Sequence, residues 1–390
     1  MDFAFTENHM KWQEEVKSFL NEHFTEDVQQ EYWEIGGNQM GPLTLQFRQK
    51  VIDKGWFGLT WPKEYGGLEK TAIEQYILLE EFEYRGAPIP DLTVTSIGPT
   101  IMRVGTDEQK KMWLPDIISG KISFAVGYSE PNSGSDLASL QTSAVLDGDE
   151  WVINGSKIWN TGAHRGTHEW LAVRTDPEAT NKHRGISMLI VPLNAKGVDI
   201  NPIWTWGDVR TNQVFFDQVR VPKNHLIGEV NKGWNYMMEA LNYERVAIGP
   251  MCGLRRLFEG LLTYCKSTER DGQLLSKKPE VRYRLSELAA EVEVARLFAL
   301  RTAWMIERGL VPVMEASMTK VYSTELGAKV ADVGMQIMDM YGQLNKHDAL
   351  APVKGRVEEA YRRIPYLRFG GGTNEVQLNI IAQRGLGLPR

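Results

Sequence analysis

Small hydroxyl side chains and an aromatic ring occur at two places in the middle of the chain. Ser129 and Ser135 accompany Gly134 in a loop, where small residues let backbone N–H groups come close to a ligand. Trp159 and Thr161 lie two apart in a predicted strand, so both side chains fall on one face. An aromatic wall beside such donors could bind a flavin ring, whose polar edge gains electron density on reduction. A β-turn with a core tryptophan is the alternative interpretation.

Signatures of other cofactors and of metals are absent from the sequence. It contains neither a G-x-G-x-x-G segment after a strand nor a P-loop. The seven histidines form no paired ligand pattern, and the two cysteines, Cys252 and Cys265, have neither metal-ligand nor disulfide spacing. We therefore predict no metal site and expect both cysteines to be reduced thiols.

Helical periodicity marks both ends of the chain. Val16, Phe19 and Leu20 share one face of an amphipathic stretch, and residues 72–85 show a second helical pattern. After about residue 233 the period is helical again and predicts an antiparallel bundle. Apolar residues recur there at Leu285, Leu288, Val292, Val330, Val333, Ile337 and Met340.

The middle of the chain has the pattern of strands. Short segments rich in branched and aromatic residues occur at 122–128, 150–159, 169–174, 185–192 and 213–222. Asn154-Gly155 predicts a hairpin turn. We predict an α+β multidomain protein with a helical domain over residues 1–120, an antiparallel β-barrel over 121–230 and a four-helix bundle over 231–390.

Composition restricts the class of protein. With 390 residues, 42% of them apolar and 24% charged, the chain has the composition of a globular protein of two or three domains. A net charge of −6 argues against nucleic acid as a partner. Early acidic residues exclude a signal peptide, and no apolar run suffices for a membrane span, so a cytoplasmic location is expected.

Five segments resemble the acyl-CoA dehydrogenases in order and spacing, over nearly the whole chain. They are WPKEYGG (61–67), YSEPNSGSDLASLQTSA (128–144), NGSKIWNTGA (154–163), VRVPKNHLIG (219–228) and YERVAIGP (243–250). The resemblance implies the three-domain fold of that family, FAD as cofactor, and oxidation of an acyl-CoA to its 2-enoyl ester. It also implies that the flavin is lined by Tyr128, Ser129, Gly134, Ser135, Trp159 and Thr161.

The C-terminal segment RFGGGTNEV (368–376) departs from the family pattern. Many members have a glutamate base in a Y-E-G-T segment, and Gly371 stands in its place. Gly371 keeps its backbone N–H, which in the family polarises the thioester carbonyl together with a flavin hydroxyl. Thr373 and Glu375 are flavin ligands by the same resemblance. A flexible loop between helices is the alternative interpretation.

A base can be recovered earlier in the chain. Isovaleryl- and long-chain-type members take the carboxylate from a helix, immediately before an arginine, and that pair here is Glu244-Arg245. We predict Glu244 as the α-proton base and Arg245, with Ser135, as substrate-binding residues. An exposed helical ion pair is the alternative for Glu244. Asp91 is the second candidate, since some ring-substrate relatives use an aspartate from that loop.

The segments that complete the flavin site of a neighbouring subunit are altered. Arg270 survives without the phenylalanine of R-x-x-F-G, and Gln336 survives while Asp339-Met340 replace the glycines of Q-I-x-G-G. A homotetramer and an α2β2 heterotetramer both remain open, and the FGGG-type end resembles the heteromeric steroid branch. The resemblance implies a branched, cyclic or bulky acyl group and electron-transferring flavoprotein as acceptor. A flavin-poor partner subunit and an oxygen-using oxidase are the alternatives.

Overall fold

The chain forms two compact units. The computed structural model describes residues 3–36, 38–248 and 253–389, without the side chains of residues 242–248. Unit 1 comprises Met1–Gln29, Thr71–Ile89 and Arg245–Arg390, and unit 2 comprises Gln30–Lys70 and Pro90–Glu244.

Helices occupy both ends of the chain. Those of the described residues are α1 (Glu7–His23), α2 (Glu26–Ile35), α3 (Pro42–Asp53), α4 (Ala72–Arg85), α5 (Gly98–Val104), α6 (Asp107–Ile118), α7 (Gly233–Ile248), α8 (Leu254–Ser267), α9 (Pro279–Glu307), α10 (Val313–Met338), α11 (Arg356–Leu367) and α12 (Asn374–Ile380). Capping boxes fix the starts of α1, α4 and α6, at Thr6, Thr71 and Thr106. None of the described helices is long and apolar enough to cross a membrane.

Unit 1 is built on buried helical faces. Val16, Phe19 and Leu20 of α1 are buried, and the predicted helix over 72–85 coincides with α4, so both predictions are confirmed. The bundle residues predicted from periodicity join one apolar cluster formed by α8, α9, α10 and α11. Met340 was wrongly placed in that pattern, because α10 ends at Met338 and Asp339 adopts a φ of +57° that turns the chain outward.

Unit 2 contains the sheet. Its strands are β1 (Phe124–Gly127), β2 (Ser143–Asp147), β3 (Glu150–Ile158), β4 (His168–Arg174), β5 (Ile186–Pro192), β6 (Val198–Trp204), β7 (Arg210–Pro222) and β8 (Leu226–Ile227). They lie in the order β6-β7-β3-β2-β4-β5-β8, with β1 also beside β4. Each of the five predicted segments is a strand. The pattern missed three strands of this sheet, β2, β6 and the two-residue β8. β6 is an edge strand whose polar residues and Pro202 lower its strand propensity.

The predicted antiparallel pairing needs one correction. It holds for most of the sheet, but β1 runs parallel to β4, with Phe124 opposite His168 and Gly127 opposite Leu171. β2 also pairs with β4 in parallel, at Ser143 and Arg174. Parallel neighbours require a crossover of a dozen or more residues, and the chain between β1 and β4 has that length because it forms β2 and β3 on the way.

The predicted hairpin at Asn154-Gly155 is a second correction. Both residues lie inside β3, where the register with β7 shifts between Ile153 and Gly155. Gly155 has a φ of +144°, and a Cβ there would lie 2.7 Å from the Cα of Thr142. The pair is therefore a β-bulge, which needs a glycine for the same conformational reason as a turn does.

Candidate active site

A serine loop, residues 128–137, follows β1 and meets the end of β3. The backbone N–H of Ile158 donates to the carbonyl of Ser129 at 2.9 Å, so the loop lies beside the last residue of that strand. Trp170 Nε1 donates to the hydroxyl of Tyr128 at 3.0 Å. The serine loop and the segment that follows β3 were both predicted from the sequence to line the flavin. These hydrogen bonds hold the loop beside the end of β3.

Trp159 and Thr161 do not lie in a strand as predicted, because β3 ends at Ile158. They belong to an aromatic turn, residues 159–161, which carries the ring and the hydroxyl. The Trp159 side chain is 58% exposed and its φ is +67°, so it is not a core tryptophan. Thr161 is exposed, and its Oγ1 donates to Oγ1 of Thr211 at 3.2 Å. A Cβ added at Gly134 would have no heavy atom within 4 Å, and Ser135 is exposed. An open aromatic face beside hydroxyl donors is the set that a flavin ring requires.

A buried ion pair that sequence reasoning missed holds the serine loop. Lys157 is completely buried, and its Nζ donates to Glu130 Oε1 at 2.8 Å and to the carbonyl of Tyr128 at 3.1 Å. Burial lowers the pKa of Lys157 to about 8, although Glu130 opposes that shift. Burial also opposes the shift of Glu130, but Lys157 and Thr142 hold the pKa of that carboxyl below its ordinary value. Both residues could have been selected from the sequence, since they lie inside the motifs that carried the resemblance.

The glycine loop, residues 368–374, is the second region. Gly371 and Gly372 have φ values of +67° and +90°, which only glycine adopts without strain. Gln377 Nε2 donates to the carbonyl of Gly371 at 2.9 Å, and Ser317 Oγ donates to Oε1 of Gln377 at 2.8 Å. Within the described part of the chain, the N–H of Gly371 makes no hydrogen bond. Gly371 is thus held at its carbonyl while its N–H stays available.

A second buried lysine fixes the ends of the glycine loop. Lys320 of α10 is 1% exposed, and its Nζ donates to the carbonyl of Arg368 at 2.8 Å and to Asn374 Oδ1 at 2.6 Å. Asn374 Nδ2 in turn donates to Thr324 Oγ1 at 3.1 Å and to Glu325 Oε1 at 2.8 Å. Polar residues at helical spacing in an otherwise apolar α10 are the sequence feature from which this buried lysine could have been predicted.

Two predicted residues of this segment have local roles. Thr373 is the N-cap of α12, where its hydroxyl accepts from the N–H of Val376 at 3.2 Å. Glu375 is exposed in the first turn, and hydrogen bonds from its own backbone N–H and from Thr373 lower its pKa. Neither role tests the predicted contact with flavin, which stays a prediction.

Arg270 and Gln336 are engaged within unit 1. Arg270 Nη2 donates to the carbonyl of Ile337 at 3.0 Å, and its Nη1 lies 4.0 Å from Asp339 Oδ2. Gln336 Nε2 donates to Asp332 Oδ2 at 2.7 Å, and Arg284 Nη2 donates to Gln336 Oε1 at 2.5 Å. Both side chains therefore have partners in their own chain.

The predicted bases differ in what can be said of them. Glu244 and Arg245 belong to α7, but their side chains lie outside the described part of the structure, as does Cys252. Asp91 is exposed, and its Oδ1 accepts from the N–H of Thr93 at 2.9 Å. That bond begins the helical segment after Pro90, so Asp91 has a capping role. Cys265 is a buried thiol whose pKa burial raises to about 11.

Unit 1 also contains a cleft of about 400 Å³ between α1, α4, α8 and α9, lined by apolar and charged side chains. Its charged side chains include two ion pairs, Arg255–Glu259 at 3.0 Å and Arg296–Glu293 at 2.6 Å. Burial raises the pKa of Glu83 in its wall to about 7. Of the predicted site residues whose side chains the structure describes, none lines this cleft.

Comparison with family models identifies the fold. The N-terminal, middle and C-terminal domain models of acyl-CoA dehydrogenase match residues 6–121, 125–219 and 231–386. The chain belongs to the acyl-CoA dehydrogenase family. It is 37% identical over 398 residues to acyl-CoA dehydrogenase FadE26 of Mycobacterium tuberculosis, with 100% of this chain and 99% of that protein covered.

Two solved structures lie in the same branch of the acyl-CoA dehydrogenases. One is the Tcur3481-Tcur3483 steroid ACAD, with a TM-score of 0.92 and 37% identity, covering 100% of both chains. The other is the ChsE4-ChsE5 complex from Mycobacterium tuberculosis, with a TM-score of 0.91 and 36% identity over 100% of both chains. The predicted family, and the resemblance to its bacterial steroid branch, are confirmed.

The acyl-CoA dehydrogenase family defines the class of reaction and the cofactor. The chain is an oxidoreductase that acts on an acyl-CoA, and its cofactor is FAD. The residues present fit that group, because the exposed ring of Trp159 and the hydroxyls of Ser135 and Thr161 supply an aromatic face and polar donors.

Proposed function

We propose that the protein catalyses FAD-dependent α,β-dehydrogenation of a bulky acyl-CoA to its 2-enoyl-CoA. The reaction removes a proton from the α-carbon and a hydride from the β-carbon. Bound FAD supplies the hydride acceptor, at its N5 atom. The side chains of Tyr128, Ser129, Ser135, Trp159 and Thr161, with Gly134, are proposed to line the ring. The remaining steps fall to residues of this chain.

Glu244 is the proposed base for the α-proton. The family position for a C-terminal base holds Gly371, which has no side chain, and the Glu244-Arg245 pair of α7 stands where isovaleryl- and long-chain-type members carry theirs. A carboxylate abstracts a weakly acidic C–H well when its pKa is raised toward the working pH, and burial under bound substrate would raise it. Arg245 is proposed to position the substrate, and Asp91 is a second candidate for contact with the acyl group.

The position of Gly371, held at its carbonyl, is the observation that carries the proposal. Its carbonyl is held by Gln377 at 2.9 Å, while its N–H has no partner within the described residues. A preorganised N–H placed where negative charge develops stabilises an enolate-like thioester oxygen without reorganisation. We assign the Gly371 N–H that role, with Thr373 and Glu375 as flavin contacts beside it.

A bulky, cyclic or branched acyl group is the proposed substrate class. Support comes from the relatives, since a solved structure of 37% identity is described as a steroid ACAD. Gly370 has no heavy atom within 4 Å of a Cβ position, so the loop leaves space on that side. Full activity on short straight chains together with no activity on bulky esters would contradict this assignment.

The proposed assembly is supported by the same comparison. An α2β2 heterotetramer is favoured over a homotetramer because two similar structures pair different chains, as their descriptions state. Electron-transferring flavoprotein is the proposed electron acceptor, and peroxide release under oxygen would instead indicate an oxidase. We also propose that the sheet of unit 2 closes into a barrel, with domains at residues 1–120, 121–230 and 231–390.

A second candidate function has its own support. The chain could be a partner subunit that completes a sister's site without catalysing. Arg270 and Gln336, the residues that family members extend to a neighbouring flavin, are bonded inside this chain to Ile337 and Asp332. That arrangement suits a subunit whose adenosine-side contacts differ from the family pattern.

Anaerobic titration of the purified protein with a panel of acyl-CoA esters distinguishes the candidates. We expect the flavin absorption band to bleach with a bulky ester, and to bleach at least about 100-fold more slowly in Glu244→Gln. Glu239→Gln is the matched control, because Glu239 lies in the same helix and 2.8 Å from Arg103 Nε. Bleaching of Glu244→Gln at the wild-type rate would exclude Glu244 as base. A colourless protein that gains flavin only with a sister subunit would favour the second candidate.

A further inference from the structure

Asn160 occupies the centre of the aromatic turn. Its neighbours Trp159 and Thr161 are exposed, whereas Asn160 is completely buried. Its N–H donates to the carbonyl of Asn212 at 3.0 Å, and Asn212 Nδ2 donates back to the carbonyl of Asn160 at 2.8 Å. Its Nδ2 donates to the carbonyl of Val126 at 3.3 Å. One side chain and one peptide thus tie the turn to β1 and β7.

The same Nδ2 group also donates to Glu169 Oε1 in β4. Glu169 is completely buried, and its carboxyl lies against Gly127, where a Cβ would be 2.5 Å from Oε1. Its register partners on the flanking strands are the apolar Ala125 and Val191. Gly127 is therefore required as glycine for the carboxyl to reach Asn160.

The charged groups around Glu169 do not neutralise it. Lys157 of β3 faces it, but the ammonium group is already bonded to Glu130 Oε1 at 2.8 Å and to the carbonyl of Tyr128 at 3.1 Å. Arg174, further along β4, acts on Lys157 and donates to the carbonyls of Leu140 and Ala138. A lone carboxylate in such surroundings would carry a large desolvation cost.

Two atoms of the pair lack a hydrogen bond. Within the described part of the chain, Asn160 Oδ1 and Glu169 Oε2 are both buried without a partner. Both are acceptors if Glu169 is ionised, so the pair would hold one hydrogen bond and two unsatisfied oxygens. A proton on Glu169 Oε2 changes this, because an acid and an amide can exchange two parallel hydrogen bonds and satisfy both oxygens.

We infer that Glu169 carries its proton in the folded protein and that the acid–amide pair it forms with Asn160 is a positioning device for the aromatic turn of the flavin site. The positioning role rests on the proposed assignment of Trp159 and Thr161 to that site. Burial raises the pKa of Glu169 to about 8, against the opposing effects of Asn160 and Lys157, which agrees with the geometry. Without this proton, Glu169 Oε2 and Asn160 Oδ1 would both be acceptors and would repel each other. Asn160 would then no longer be held in place.

The proton has a predictable effect on stability. An unfolded glutamate has a pKa of about 4.3, so between that value and about 8 the unfolded chain is ionised while the folded one keeps its proton. The folded state then binds more protons than the unfolded state, and its stability falls as pH rises through this window. Above about pH 8 both states are ionised and the decline ends.

The test compares Glu169→Gln with the wild type, purified as the assembled protein. Glutamine keeps both hydrogen bonds to Asn160 and cannot ionise. We expect the melting temperature of the variant to rise relative to wild type as pH increases from 5 to about 8, and the difference then to level off. Glu150→Gln, at an exposed position of the same sheet, should give a pH-independent difference. Lys157 is present in each protein, so only the part of its titration that depends on the charge of Glu169 differs between them.

The second measurement is FAD affinity of the apoprotein, followed by flavin fluorescence between pH 7 and 9. Above the pKa of Glu169, wild-type affinity should weaken relative to that of Glu169→Gln by up to about tenfold per pH unit, since the titration of Lys157 affects both proteins. A melting-temperature difference without pH dependence would overturn the assigned proton. Parallel loss of FAD by both proteins would overturn the positioning role. If FAD binds neither protein at any pH, the flavin-site assignment fails and the positioning role with it, while the melting profile still reports the proton.

Discussion

Two buried lysines, one in each unit, each hold a loop that contains predicted site residues, and they do so by different means. Lys157 and Lys320 are both almost completely buried, and each donates to one main-chain carbonyl, of Tyr128 and of Arg368. Their other partners differ. Lys157 bonds to the carboxylate of Glu130, whereas Lys320 bonds to the neutral amide of Asn374.

The difference determines where the compensating negative charge lies. Glu130 is 9% exposed, so the serine loop depends on an ion pair inside the protein. Asn374 instead relays hydrogen bonds to Glu325, whose side chain is 45% exposed and also pairs with Arg368 at 2.7 Å. A buried pair is costly to break from one side, while a neutral relay loses only hydrogen bonds. The two loops should therefore respond differently to matched changes.

Replacement of Lys157 by methionine should have the largest effect on stability. It leaves the buried carboxylate of Glu130 without its counter-ion, which typically costs about 3–5 kcal/mol. The measurement is the urea-unfolding midpoint at pH 7, followed by tryptophan fluorescence. Lys196→Met, at an exposed position in the same unit, is the control and should stay within about 0.5 kcal/mol of wild type. A loss as small as that of the control would mean that Glu130 is not held as an anion.

Replacement of Lys320 by methionine should cost less. Arg368 and Asn374 lose a donor, and neither of these two partners is a carboxylate, so we expect about 1–3 kcal/mol. The glycine loop should loosen, and kcat should fall while the flavin absorption band stays unchanged. Lys329→Met is the control on the same helix, since Lys329 makes partly exposed pairs with Glu287 and Glu291. A loss equal to that of Lys157→Met would remove the distinction between the loops.

Sequence patterns predicted elements whose periodicity is strong and local. Residues 72–85 formed a helix with the predicted bounds because a capping threonine and an apolar face agree there. Sequence patterns failed to predict the pairing of strands that lie far apart in the chain. The parallel pairing of β1 with β4 joins Phe124 to His168, and no local pattern encodes that register.

The candidate site shows the same limit. Trp159, Thr161 and Gly371 were selected because their types and motifs resemble a family. The residues that hold them were missed, because nothing in the sequence distinguishes Lys157 and Glu169 from charged residues at the surface. A buried lysine is distinguished from a surface lysine by its partners, and partners 27 residues apart, as for Lys157 and Glu130, are known only once the strands pair.

Substitutions in the glycine loop test whether its conformation or its openness matters. Gly371→Ala places a Cβ at a φ of +67°, which should cost about 1–2 kcal/mol and lower kcat/KM by displacing the N–H. Gly370→Ala is the matched control, because no heavy atom lies within 4 Å of its Cβ position. The rate of flavin reduction in each of the two variants is measured by stopped flow. Equal rates for the two variants would contradict a role for the Gly371 peptide.

Acid should affect the serine loop more than the glycine loop, and this is the smallest effect we predict. The lowered pKa of Glu130 means that its contribution to stability is present above about 4.3, the ordinary value for glutamate, and is lost as pH falls through the folded value. Amide hydrogen exchange, corrected for intrinsic rates, should therefore show residues 128–142 losing protection at acid pH before residues 368–377. Glu130→Gln should remove this pH dependence, since a neutral side chain has no proton to gain. Equal acid sensitivity of the two segments in the wild type would show that their lysines are compensated in the same way.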